Sequence, residues 1–132
     1  MIPSEKKYEV ALIWLKRAYG NLVRAKMEKP DDAFYEDFCF DAQQSVEKSL
    51  KALMIFKGIK FRFVHDIGEL LQNLEQNHFF IPDEIKESVI LSEYSVETRY
   101  PGPTEPMTKD DYIKAVEIAE KVYTWVKDQI KQ

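Results

Sequence analysis

Cysteine occurs once in the 132 residues, at Cys39, so a disulfide within the chain and a Cys-rich metal site are both excluded. Histidine is almost as scarce, with only His65 and His78. The four glycines are scattered and build no phosphate-cradling loop. No turn dipeptide separates two alternating segments, so hairpins are not expected. No apolar run reaches the ~18 residues that a membrane-spanning helix requires. The first residues, Met1 to Lys7, lack the apolar segment of a secretory signal. No repeat or low-complexity tract occurs. A reducing cytoplasm is the expected compartment, and a single domain spanning residues 1–132 the expected organisation.

What is present is enough for a core: 45% of residues are hydrophobic and 13% aromatic. The net charge of -4 does not suit a strongly basic nucleic-acid binder. Charge is unevenly spread. Ser4 to Lys29 carries seven Lys/Arg against three Asp/Glu, whereas Glu75 to Asp111 carries three against nine. Two solvated faces attracting each other would explain this, as would a basic face for phosphates.

The periodicity is helical throughout. Tyr8, Ala11, Leu12, Leu15, Ala18, Tyr19 and Leu22 recur at three and four, predicting a first helix from Ser4 to about Lys29. Lys29–Asp32 ends it, and Asp32 is the expected cap of a second helix running to about Lys57. That helix buries Tyr35, Phe38, Cys39, Ala42, Val46, Ser49, Leu50, Leu53 and Phe56, with Gly58 just past its end. Asp66 and Glu69 have the spacing of a capping box that opens a short third helix, to about Asn77. A fourth starts near Pro82 and ends near Arg99, because Pro101 disfavours helix before it. Thr108, with Asp111 three residues on, caps a fifth whose core stripe is Tyr112, Ala115, Val116, Ala119, Val122, Tyr123, Val126 and Ile130. Five helices with short connections predict an all-α, antiparallel up-and-down bundle: a four-helix core plus a short helix.

Several constellations could carry chemistry. Gln44, Glu47 and Lys51 fall within one ~60° arc of the second helix, away from its core stripe. They form either an i,i+4 ion pair on a solvated face or a polar patch for a nucleotide or partner. His65-Asp66 is either a functional pair or a helix start. Trp14, Tyr19, Tyr123 and Trp125 could stack a base, although aromatic residues at helical spacing more often pack in a core. Glu75-Gln76-Asn77-His78 has the Glu-x-x-His spacing of di-iron bundles, but such sites need a second copy and two further glutamates. No metal site and no cofactor is expected.

Three segments in order, "FDAQQSVEKSLKALMIFKG" (Phe40 to Gly58), "HDIGELL" (His65 to Leu71) and "EYSVETRYPG" (Glu93 to Gly102), resemble the HEPN domain family, the higher eukaryotes and prokaryotes nucleotide-binding domain. The final helix, "YIKAVEIAEKVYTWV", fits as well. The resemblance implies a helical bundle, often a homodimer, working with a separately encoded small nucleotidyltransferase. One branch of the family is a metal-independent ribonuclease with Arg, four to six residues, then His. Here Arg99 stands at the matching place, but Thr104, Glu105 and Pro106 occupy the positions where that histidine belongs. Arg62 precedes His65 by too few residues, and Lys60 is no equivalent of arginine toward phosphate. No catalytic residue is therefore assigned. The resemblance implies the branch that binds a nucleotide or a partner protein, as in toxin–antitoxin-type pairs, with Arg99, Tyr100, His65, Asp66, Gln44, Glu47 and Lys51 as candidate ligand-binding residues. Two alternatives stay open: a diverged ribonuclease built on Arg99 and Tyr100, with His65 a further candidate, and an interaction module with no small ligand.

Overall fold

The computed structural model describes residues 4–62, 65–94 and 106–130. Most of these residues are helical and no strand occurs among them, as the periodicity predicts. Three long helices, α1 (Ser4–Ala25), α2 (Tyr35–Lys57) and α5 (Lys109–Ile130), form the body of the bundle. The shorter α3 (Ile67–Gln76) and α4 (Asp83–Lys86) lie between α2 and α5 in the chain. A 3-10 helix, Glu87–Tyr94, follows α4.

Helix α2 is the centre of the assembly. It packs against α1, α5, α3 and the 3-10 helix. Consequently it is buried on most of its circumference, where an outer helix of the bundle has one apolar stripe. Its most extensive contact is with α1. Small residues on both helices, Ala11, Ala18 and Ala25 on α1 and Ala42, Ser45, Ser49 and Ala52 on α2, are fully buried and let the two backbones approach closely. Leu15 and Leu22 of α1, Val46, Leu50 and Leu53 of α2, Leu70 and Leu74 of α3 and Val122 and Val126 of α5 fill the shared core.

Helix ends are set by local chemistry. Gly58 takes φ 71°, and its N–H and that of Ile59 donate back to the carbonyls of Ile55 and Met54. The Asp66 carboxylate accepts the N–H of Glu69 at the start of α3. Thr108 and Asp111 cap α5 reciprocally: Thr108 Oγ1 accepts the Asp111 N–H at 3.1 Å, and Asp111 Oδ2 accepts the Thr108 N–H at 3.0 Å.

Three boundaries differ from the sequence expectation. Helix α1 stops at Ala25, not near Lys29. The Lys29 ammonium instead donates to the carbonyls of Pro30 and Ala33, holding a turn together. That turn displaces the start of α2 to Tyr35, so Asp32 is not its cap. Phe34 stands there and offers no side-chain acceptor. The helix expected from Pro82 is α-helical for only four residues before it tightens into the 3-10 helix. Its expected end near Arg99 lies outside the described residues.

Candidate functional site on helix α2

The polar flank of α2 is buried. Glu47 is 3% exposed and Lys51 5%, so the arc they share with Gln44 is not a solvated face. The segment after α2, carrying Phe61 and His65, and Trp14 of α1 meet this flank. The Lys51 ammonium lies 5.9 Å from the Trp14 ring centre and 5.7 Å from that of Phe61.

Glu47 is the hub. Its Oε1 accepts from Lys51 Nζ at 2.6 Å, and its Oε2 accepts from Gln43 Nε2 at 2.9 Å and from Gln44 Nε2 at 3.3 Å. His65 Nδ1 lies 3.1 Å and 3.0 Å from the two carboxylate oxygens. Gln44 also donates to Gln43 Oε1 at 2.8 Å. Burial pushes the Glu47 carboxyl up. The hydrogen bonds from Lys51, His65 and Gln43, with the Lys51 charge, outweigh burial and hold it below the usual carboxylate value. Glu47 is thus a carboxylate at neutral pH and can only accept.

This fixes the histidine tautomer. Nδ1 must carry the proton it gives to Glu47, which leaves Nε2 as the polar atom of the ring not engaged by Glu47. The His65 side chain is 58% exposed, while the carboxylate that orients it is buried. A buried carboxylate behind a half-exposed imidazole can position a hydrogen-bonding ring toward a ligand, or a proton-accepting one.

The remaining candidates are distributed elsewhere. Asp66 is a helix cap. Arg99 and Tyr100 lie outside the described residues. His78 follows α3 with φ 71° and is exposed, and Glu75 pairs with Lys86, so the Glu-x-x-His spacing gathers no ligand set. Among the described residues no group of three or more His, Cys, Asp and Glu is placed to hold a metal. The four aromatic residues do not form one platform. Tyr19 packs on Tyr123 at 5.3 Å, and Trp14 faces Lys51. Trp125 lines a cleft of about 480 Å³ with Glu84, Glu117, Glu120, Lys121, Thr124 and Asp128, an acidic lining that repels phosphate. Burial pushes the Cys39 thiol to about 12, so it is no nucleophile at neutral pH.

Gln43 and Phe61 belong to the network but escaped the sequence reading, and Trp14, considered there as a base-stacking residue, instead faces Lys51. The one available signal was Gln43 four residues before Glu47 on a helix, which is hydrogen-bonding spacing.

The HEPN domain family model matches residues 11–129. A Methanocaldococcus jannaschii protein named "Putative toxin MJ1304" is 32% identical over 92% of this chain and 89% of its own length. Among solved structures, TT1696 from Thermus thermophilus superposes with a TM-score of 0.65 at 28% identity, covering 97% of this chain and 98% of that one. ST0689, an archaeal HEPN homologue, gives 0.61 at 28% identity over 98% and 99%. The fold recurs in an HEPN domain protein from Thermotoga maritima at 23% identity, with a TM-score of 0.58 over 96% and 98%. Among the described residues no helix is long and apolar enough to cross a membrane. With the family match spanning nearly the whole sequence and the bundle recurring in HEPN structures, the chain belongs to the HEPN domain family.

Proposed function

We propose that this chain is the non-catalytic HEPN module of a toxin–antitoxin-type pair, a homodimer that binds a nucleotide, a small nucleotidyltransferase partner, or both. The observation that carries it is a whole-length relationship to a protein named as a toxin, in a chain where Thr104, Glu105 and Pro106 replace the ribonuclease histidine. In this reading His65, Gln44 and the buried Glu47–Lys51 pair form the ligand-facing polar flank of α2, with Arg99 and Tyr100 contributing from the following segment. The Glu47 carboxylate holds the imidazole, and the imidazole, with the Gln44 amide, meets the ligand. Calorimetry with nucleoside triphosphates and co-purification with a small nucleotidyltransferase from the same genome test it. Heat or a complex is the expected result, and silence in both contradicts it.

One observation favours a second reading. The Glu47–His65 contact orients an imidazole through Nδ1, as a positioned general base requires. A diverged ribonuclease would use His65 for proton transfer and Arg99, with Tyr100, for the phosphate. Cleavage of single-stranded RNA by the wild type, abolished in both His65→Ala and Arg99→Ala, would support this reading. Equal background cleavage by all three removes it.

A further inference from the structure

A second polar network lies along the seam between α1 and α2. Arg17, Asn21 and Arg24 share one face of α1 at i, i+4 and i+7, and Asp41, Gln44 and Lys48 share one face of α2 at i, i+3 and i+7. The two faces meet. Asn21 Nδ2 donates to Asp41 Oδ1 at 3.0 Å, the Lys48 ammonium donates to Asn21 Oδ1 at 2.8 Å, and Arg24 Nη2 lies 3.5 Å from Asp41 Oδ1. Asn21 and Asp41 are buried, and the Arg24 side chain is mostly exposed. The buried amide and carboxylate form a floor that Lys48 and Arg24 contact, and Arg17 lies one turn before Asn21 on the same face of α1.

The charges there do not balance. Asp41 is the one carboxylate in the network, already shared by Asn21 and Arg24. Glu47, on the adjacent flank, is neutralised by Lys51. Among the described residues no carboxylate forms an ion pair with Arg17 or Lys48. Burial, and after it the Arg17 guanidinium, pull the Lys48 ammonium below the ordinary lysine value. Cations held together against their own repulsion are stabilised by an anion from outside.

We infer that Arg17, Arg24 and Lys48 form a binding site for a chain of linked phosphates, either the polyphosphate of a nucleoside triphosphate or the backbone of an RNA strand. Two arginines favour phosphate, because the guanidinium fork matches two phosphate oxygens. Arg17 and Arg24 are two helical turns apart, roughly 10 Å, with Lys48 between them over Asn21. That span suits several linked phosphates better than one. Gln44 lies between the two networks: it shares the Lys48 face of α2 by register and donates to Glu47. It therefore joins the phosphate site to the His65 flank. The inference deepens the nucleotide half of the proposed function and rests on it.

The test compares wild type with Arg17→Gln/Lys48→Gln, which leaves the Asn21–Asp41 floor and Arg24 intact. A control of equal charge loss, Lys109→Gln/Lys114→Gln, lies on α5. Three probes separate the sources: tripolyphosphate, ATP and a single-stranded oligoribonucleotide. Wild type is expected to bind at least one, and the α1–α2 variant to lose about tenfold or more on each probe bound. The control should change by less than about twofold and show a comparable circular-dichroism melt. Binding of tripolyphosphate or ATP but not RNA by wild type names the nucleotide, and the reverse names the strand. Should the double variant unfold, Arg17→Gln alone, at an exposed position, is read the same way. Unchanged affinity in folded variants overturns the inference, as does failure of wild type to bind any probe. Loss of ATP binding in His65→Ala but not in Arg17→Gln/Lys48→Gln overturns it while leaving the proposed function standing.

Discussion

His65 Nδ1 lies 3.0 Å from Glu47 Oε2, joining the start of α3 to the middle of α2 across a separation of 18 residues. Glu47 also receives Lys51, Gln43 and Gln44, so one buried carboxylate organises side chains from two elements. An ion pair in such a place is a poor source of net stability but a sensitive one, because removing one partner strands the other charge.

The two partners are not equivalent. Glu47→Gln leaves the Lys51 ammonium buried without a counter-charge and is expected to cost about 3–5 kcal/mol in urea unfolding. Lys51→Met should cost less, because His65, Gln43 and Gln44 still satisfy the carboxylate. The double variant Glu47→Gln/Lys51→Met should recover part of the loss. A double variant as unstable as the sum of the singles contradicts a coupled pair.

Acid should weaken the fold through the same group. Glu47 has its carboxyl lowered in the folded state from an ordinary value of 4.5. Its contribution is fully present above that value and is lost as pH falls through the lower folded-state value. Glu69 is lowered in the same direction by its hydrogen bond to Arg62, but it lies at the surface, where salt screens the effect. Urea midpoints followed from neutral pH downward at high salt should therefore fall more steeply for wild type than for Glu47→Gln. Parallel curves would contradict the assignment.

Tyr112 reaches from α5 to the end of α1, its hydroxyl donating to the Ala25 carbonyl at 2.5 Å, a contact spanning 87 residues. Its ring stacks on Tyr35 at 5.2 Å. Tyr112→Phe keeps the stacking and removes the hydrogen bond, so a loss of about 1 kcal/mol is expected in thermal unfolding. No change would mean that the α1 end is held by packing alone.

Gly58 ends α2 in the left-handed region, where an added Cβ would stand 2.6 Å from the tip of Lys7. The lysine end can swing aside, so the cost of Gly58→Ala is mainly conformational, about 1 kcal/mol. The companion Lys7→Ala/Gly58→Ala should be no more stable than Gly58→Ala. Recovery in the double variant would assign the cost to the lysine clash.

Most of the bundle was legible in the sequence because its signals are local. Gly58, the Asp66 cap and the Thr108–Asp111 pair each act within a few residues. The start of α2 was misplaced because Lys29 ties the Pro30–Ala33 turn with its own side chain, an interaction that no cap rule contains. The burial of the polar flank of α2 was not legible for a different reason. Helical periodicity locates the stripe facing the main core, but it cannot see that Trp14, Phe61 and His65 cover the other side. Gln44, Glu47 and Lys51 were found as a group, while their burial and the Glu47–His65 contact depend on how a later segment folds back.

The most direct measurement is one calorimetric series, titrating the purified chain with ATP and with a small nucleotidyltransferase from the same genome, in wild type and in His65→Ala. The expected result is saturable binding of at least one of them by wild type, weakened in His65→Ala, whose imidazole faces the ligand in this assignment. Absence of binding to both by folded wild-type protein would contradict the proposed function. Equal binding by the two proteins would remove the α2 flank from the site.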